Sequence, residues 1–353
     1  MAPSGESGAR GSSLGTFVGG TRGKNERGED LFTFDIVDLD TGALSRAELD
    51  FLGHGVAFDP TTRHGKNTAV VFEKRGPGGA LVDLDRAIVL SPILASPGRA
   101  FYGHAAYDAA GSKLFVVESD LATHAGVITV RDPATFHVLG EFPSHGQAPH
   151  DCILVGTTLV ITNGGGDLEA VREEPSVTYV DTSDARLLER FTFADSKINA
   201  GHIALRSNGD FVVSSAPRAG LPETTSLGGV TIRAGKTKCE RMKLPKATVA
   251  RMLGESLSVA IDEDSGIACV TNPHGNIVTF WDVSKRKLVR SLDLEFPRGV
   301  ALTRNGKSFV ISVGKAPPTL LEVDIATFAQ APFAGAPSGV MSGSHLFPWE
   351  RRA

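Results

Sequence analysis

Histidine recurs in a repeated phrase of this chain, and imidazole is the side chain best suited to bind metals or move protons near neutral pH. In each copy a polar or small residue precedes the histidine and an apolar run follows it. Seven equivalent positions, which we call the inner positions, are occupied by His54, His104, His150, His202, Ser258, Arg298 and His345. Successive inner positions lie 40 to 56 residues apart, and a period of this length is typical of propeller blades. If the repeats close into a ring, these side chains must gather around its axis.

Several neutral imidazoles that converge in a narrow channel can replace the water shell of a transition metal. We therefore predict a metal site formed by a set that we call the histidine ring: His54, His104, His150, His202 and His345. An all-nitrogen site suits copper, iron, zinc or nickel, and affinity alone favours copper.

Other polar residues are expected at the same mouth of the ring, because it also holds the ends of the second strands and the loops after them. Arg298 can clamp an anionic ligand or hold a carboxylate such as Glu118. His145 and Glu118 are further candidates for ligand or general base, with purely structural roles as the alternative. Asn163 ends a second strand and is a fourth candidate for ligand binding.

The elements that must position these side chains are short strands. In the repeat that begins at His104, residues 105–108, 113–117, 126–132 and 138–142 form apolar runs bounded by turn residues, which is the pattern of four strands. Helical periodicity is nearly absent, and residues 246–257 form the only segment that suggests a short helix.

The strand count predicts how the ring closes. Six full repeats begin at the first six inner positions, residues 14–51 supply three more strands, and residues 344–348 supply one. Three strands and one make a seventh blade built from both chain ends, which leaves few exposed sheet edges. We predict an all-β, seven-bladed β-propeller as a single domain over residues 14–353, preceded by a disordered segment, residues 1–13.

Composition narrows the range of partners. The 353 residues carry a net charge of −4 and no block of basic residues, which argues against nucleic-acid binding. No apolar run reaches the ~18 residues of a membrane-spanning helix, so we expect no membrane insertion. The three cysteines show no metal-binding spacing. A small molecule or metal in the central channel of a monomer is the expected partner.

The sequence also resembles a known family, the bacterial domain-of-unknown-function family 1513. The resemblance runs from about residue 32 to residue 347, and it is most specific in segments 101–104, 141–150, 163–165, 174–176 and 344–346. The resemblance implies a seven-bladed propeller of the periplasm, which is usually exported by the twin-arginine route. It also implies a role in metal handling, and this makes iron a favoured metal together with copper. No twin-arginine signal is visible in residues 1–13. The ring of histidines is also distantly similar to the propeller of nitrous oxide reductase.

Three functions follow from these features. The first is a periplasmic metal-binding propeller in metal handling or redox chemistry, which includes a metal-dependent oxidoreductase. The second is an enzyme that uses the channel histidines and Arg298 on a small anionic substrate. The third is a protein-interaction scaffold, in which the inward histidines would be incidental.

Overall fold

The fold is an all-β propeller of seven four-stranded sheets. The structure is a computed structural model that describes residues 12–168 and 173–352. Most of the segment expected to be disordered, residues 1–11, lies outside the described residues. Among the helices that are described, none is long and apolar enough to cross a membrane.

Six blades follow one another along the chain, and each is an antiparallel meander whose first strand lies innermost. Blade 1 contains β4 (Gly53–Phe58), β5 (Thr68–Glu73), β6 (Gly78–Asp83) and β7 (Ile88–Leu94); blade 2 contains β8 (Arg99–Tyr107), β9 (Leu114–Asp120), β10 (Ala125–Arg131) and β11 (Val138–Gln147); blade 3 contains β12 (Pro149–Val155), β13 (Thr158–Asn163), β14 (Ser176–Asp181) and β15 (Leu187–Thr192). Blade 4 contains β16 (Ile203–Leu205), β17 (Phe211–Ser215), β18 (Gly229–Arg233) and β19 (Glu240–Arg241); blade 5 contains β20 (Val259–Ile261), β21 (Ile267–Asn272), β22 (Ile277–Asp282) and β23 (Lys287–Asp293); blade 6 contains β24 (Val300–Leu302), β25 (Ser308–Val313), β26 (Thr319–Asp324) and β27 (Gln330–Pro332).

Blade 7 joins the two ends of the chain, as the strand count predicts. Its inner strand is β28 (Phe347–Trp349), and the three outer strands are β1 (Thr16–Lys24), β2 (Asp30–Asp38) and β3 (Leu44–Leu49). Strand β28 pairs antiparallel with β1, with Phe347 opposite Val18 and Trp349 opposite Thr16. This pairing closes the ring, so the inner strand of the last blade is not left without a partner.

The core is divided into seven apolar clusters, and each lies between two neighbouring blades. Between blades 1 and 2, for example, Phe72 of β5 packs with Phe101 of β8 and Val116 of β9. Between blades 7 and 1, Phe34 packs with Val71 and Val82. The middle strands of the blades are therefore buried on both faces, which explains why strands such as β5, β9 and β13 are nearly continuous apolar runs.

The only helix in the described residues is one short turn, α1 (Lys246–Val249). The helix suggested for residues 246–257 therefore ends early. Leu253 instead forms an isolated bridge with Leu227 beside β18, so tertiary pairing replaces local helical preference.

Candidate metal centre

The first three histidines of the ring lie where pairing between the first and second strands is irregular. The register shifts between Gly53 and Gly55 in β4, between Phe101 and Ala105 in β8, and between Pro149 and Cys152 in β12. Such bulges bend a strand and change the direction of a side chain. His54, His104 and His150 each fall inside one of these shifts.

Two glycines beside the histidines allow neighbouring blades to approach closely. A Cβ atom on Gly55 would lie 1.7 Å from the carbonyl oxygen of Gly103. Gly103 has a φ of +102°, and a Cβ there would lie 2.4 Å from Cδ2 of His54. A larger residue at Gly55 would clash with the backbone of Gly103, and a larger residue at Gly103 would clash with the ring of His54.

The five side chains of the histidine ring form one buried cluster. None is more than 7% exposed. The ring centroids of His202 and His345 are 3.9 Å apart, those of His150 and His202 are 4.3 Å apart, and those of His54 and His345 are 4.6 Å apart. His104 lies 5.0 Å from His54 by the same measure. The five residues predicted to converge do converge.

Four members, His54, His104, His150 and His202, each offer one nitrogen within 4.8 Å of the others. His150 Nε2 and His202 Nε2 are 3.0 Å apart, close to the roughly 3.3 Å that separates nitrogens around one tetrahedral zinc. The buried Nε2 atoms of His54, His104 and His345 have no hydrogen-bond partner. Buried polar atoms are rarely left unpaired, and two of these residues, His54 and His104, belong to the group of four that could hold a metal ion.

Asp151 pairs with His104 and lies near a second histidine of the ring, His202. Its Oδ1 lies 3.0 Å from Nδ1 of His104, and its Oδ2 lies 3.7 Å from Nδ1 of His202. The same carboxylate accepts backbone N–H groups from Cys152 at 2.8 Å and Ile203 at 3.1 Å. When His104 donates its Nδ1–H to Asp151, its Nε2 keeps a free lone pair, which is the arrangement common around protein-bound metals.

The two inner positions without histidine serve the cluster differently. Ser258 Oγ lies 3.3 Å from Nδ1 of His345 and orients that ring. Arg298 donates its Nε–H to the carbonyl of Gly343 at 3.0 Å and contacts Ser344 Oγ at 3.4 Å. The guanidinium therefore supports the segment that carries His345, and burial lowers its pKa from the usual value.

Burial keeps four members of the histidine ring neutral: His54, His150, His202 and His345. It lowers the pKa values of His54, His150 and His345 well below 6.5, and neighbouring charges add to this effect. Burial likewise lowers the pKa of His202 to about 4, although the nearby carboxylate of Asp151 opposes the change. Burial raises the pKa of Asp151, but His104 and His202 outweigh it and hold that pKa well below 3.8. The site therefore offers four neutral imidazoles beside an ionised carboxylate.

Two cavities meet at the histidine ring. One, which we call the mouth basin, has a volume of about 440 Å³ and is lined by His150 together with Lys74, Arg75, Tyr102 and Glu255. The other, which we call the apolar channel, has a volume of about 360 Å³ and is lined by His104, His202, His345 and Asp151, with apolar side chains beyond them. The histidines thus separate a charged cavity from an apolar one.

Two further candidates from the sequence, Glu118 and Asn163, are held by other partners. Glu118 is fully buried, pairs with Arg131 Nη2 at 2.6 Å and accepts a hydrogen bond from Thr129 at 2.9 Å. Asn163 accepts a hydrogen bond from Ser144 Oγ at 2.6 Å.

His145 is half-buried and its Nε2 is unpaired. Its backbone has a φ of +59°. Among the described ring contacts, none joins it to the histidine ring. These placements give Glu118 and Asn163 structural partners, and they leave the predicted ligand roles of all three residues as predictions.

Sequence reasoning missed Asp151, Lys74 and Arg75. A signal for Asp151 was present, since the residue after each inner position is apolar or glycine in every other repeat. Lys74 and Arg75 follow the end of β5, in a loop expected at the mouth, but nothing in the sequence singled them out.

The comparisons with known proteins agree with this architecture. The model of a family described as "Protein of unknown function (DUF1513)" matches residues 48–346. No curated protein shows a significant match. Among solved structures, a chain of hydrazine synthase from Kuenenia stuttgartiensis is 15% identical with a TM-score of 0.64, and the match covers 93% of this chain and 99% of that one. A chain of the mitotic checkpoint complex is 11% identical with a TM-score of 0.56, covering 85% of this chain and 78% of that one. At these identities the likeness concerns the fold alone.

Proposed function

The chain belongs to the DUF1513 family of proteins of unknown function, and we propose that it binds a single transition-metal ion through the histidine ring. One observation carries the proposal: four buried histidines, each with a nitrogen within 4.8 Å of the others, line one space on the channel axis. Because their pKa values are lowered, no proton has to leave His54, His150 or His202 when a metal binds at neutral pH.

The donor set supports copper or iron, with zinc as the alternative, since imidazole suits all three metals. We extend the proposal to metal handling or redox chemistry in the periplasm, which is what the resemblance to this family implies. A redox role favours copper or iron, because zinc has no redox chemistry.

Metal analysis of protein purified without a histidine tag tests the proposal. After separate reconstitution with copper, iron and zinc, we expect one ion per chain for at least one metal. The double variant His150→Gln/His202→Gln should lose it, while His137→Gln, at an exposed turn, should keep it. Absence of stoichiometric metal in the wild type, with its fold intact by circular dichroism, would exclude the proposed function.

The two alternative functions, an enzyme without metal and an interaction scaffold, predict different results with the same protein preparations. An enzyme that uses the histidines without metal would keep its activity in the presence of a chelator. A scaffold would bind its partner equally well with and without the histidine ring. The unpaired, converging nitrogens favour metal binding over both, because neither alternative requires them to face one another.

A further inference from the structure

The histidine ring has two sides of opposite electrostatic character. On the side of the mouth basin, Lys74 and Arg75 lie with Tyr102 above His150. On the side of the apolar channel, the charged residue among the lining side chains is Asp151, and the rest are apolar or neutral. A ligand that reaches the ring from the mouth therefore meets positive charge first.

Arg75 is held in a built position. Its backbone adopts a φ of +62°, which is rare for a residue with a long side chain. Its N–H donates to the carbonyl of Phe101 at 2.9 Å, and its Nε–H donates to the hydroxyl of Tyr102 at 3.1 Å. Strained conformations of this kind persist where the surroundings hold them, and they are concentrated at functional sites. Arg75 also lines the basin, and within the described part of the chain Tyr102 is the one side chain to which its guanidinium donates.

Lys74 belongs to the same group of charges. Its Nζ lies 3.5 Å from Glu255 Oε1, and both side chains are about one-quarter exposed. Burial raises the pKa of Glu255, but Lys74, His202 and Arg298 together lower it by more, so the carboxylate is ionised. Glu223 also lines the basin. Arg218 does too, although it donates to the carbonyl of Gly166 at 3.0 Å.

A divalent metal bound in the histidine ring would leave uncompensated positive charge in a buried site. Neutral imidazoles do not reduce the charge of the ion, and Asp151 supplies one negative charge through His104. Buried charge is costly unless it is paired. An anion that enters from the mouth basin would contact the metal and offset its charge, and Lys74 and Arg75 would hold the other end of that anion.

We propose that the mouth basin binds a small carboxylate, which contacts the metal in the histidine ring together with Lys74, Arg75 and Tyr102. This inference rests on the proposed metal-binding function. A guanidinium matches the planar geometry of a carboxylate with paired donors. The two acidic residues of the basin oppose highly charged anions, so a singly or doubly charged carboxylate suits it, and about 440 Å³ accommodates a molecule of that size.

Oxalate titration by calorimetry tests the proposal, with the metal-free and the metal-loaded protein measured separately. We expect oxalate to bind more tightly when metal is present, since each ligand then offsets the charge of the other. Lys74→Gln should weaken oxalate binding about tenfold, because one charge-assisted hydrogen bond is lost. The metal content of this variant should be at least that of the wild type. Arg75→Gln should act in the same direction. Lys307→Gln, an equal charge change on an exposed turn of the opposite face, should leave binding unchanged.

The outcomes separate this proposal from the proposed function. If metal binds but oxalate binds neither form, or binds Lys74→Gln and Arg75→Gln as tightly as the wild type, the carboxylate site is overturned and metal binding stands. If metal does not bind but oxalate does, with sensitivity to Lys74→Gln, the carboxylate site stands and the metal function fails.

Discussion

Replacing Asp151 with asparagine is the most direct test of how the metal centre is oriented. The carboxylate accepts hydrogen bonds from backbone N–H groups on each of its oxygens, Cys152 to Oδ1 and Ile203 to Oδ2, and Oδ1 also faces Nδ1 of His104. An asparagine side chain has the same shape but only one acceptor oxygen. One side of the group must therefore present an NH₂ to a donor.

Both orientations of that asparagine weaken the site. If its NH₂ faces Ile203, a backbone N–H loses its partner, which costs about 1–3 kcal/mol of folding free energy. If its NH₂ faces His104, the imidazole must move its proton to Nε2, and the nitrogen that faces the metal space is then blocked. Loss of such a supporting partner commonly weakens metal binding about 10- to 100-fold, which corresponds to about 1.4–2.7 kcal/mol.

A competition titration with a chromophoric zinc chelator measures the loss of affinity, and urea denaturation of the metal-free protein measures the loss of stability. Asp184→Asn, at an exposed turn, is the matched control and should equal the wild type. If Asp151→Asn equals the wild type both in zinc affinity and in stability, the carboxylate plays no part in orienting His104.

Three further outcomes are expected. In the unfolded chain His202 takes up a proton near pH 6.5, but in the folded protein it does so only near pH 4. Burial of this imidazole therefore costs no stability through protonation above pH 6.5, and the folded protein loses stability as the pH falls below that value. Between pH 8 and pH 5, the free energy of unfolding of metal-free His202→Gln, measured by urea denaturation, should fall by about 2 kcal/mol less than that of the wild type. His137→Gln should match the wild type. Equal losses for His202→Gln and the wild type would contradict this prediction. Zinc at 100 times its Kd should raise the free energy of unfolding by about 2.7 kcal/mol, and unchanged thermal unfolding on addition of zinc would refute it. Gly55→Ala places a Cβ against a neighbouring backbone carbonyl and should lower stability by about 1–3 kcal/mol in the same denaturation assay. Gly140→Ala, which has open space around it, should not, and equal stability of the two variants would contradict the close approach of the blades.

The repeat made the ring of blades predictable from the sequence. One residue type at one repeated position, with a last copy at His345, was sufficient to place the histidines together and to pair the chain ends in blade 7. The details of the site required the structure. Asp151 reaches two histidines because the register shifts between Pro149 and Cys152, and such a shift leaves no periodic signal in the sequence.

Charge at the mouth was also beyond the sequence. Glu118 was expected at the exit of a second strand and therefore at the mouth, but β9 continues to Asp120, and Arg131 and Thr129 hold Glu118 inside blade 2. Lys74 and Arg75 reach the basin because the backbone of Arg75 turns through a positive φ. The direction of a side chain in a loop depends on such local backbone geometry, which composition and residue spacing do not encode.

The closing blade sets the order in which the metal centre is completed. His345 comes two residues before β28, which pairs with β1 at the other end of the chain. During synthesis the other four histidines emerge well before the fifth, and the fifth reaches them only when the last strand docks. In the proposed metal site, the four histidines whose nitrogens lie within 4.8 Å of one another all precede β28 in the chain, so closure of the last blade adds His345 as a fifth imidazole beside them.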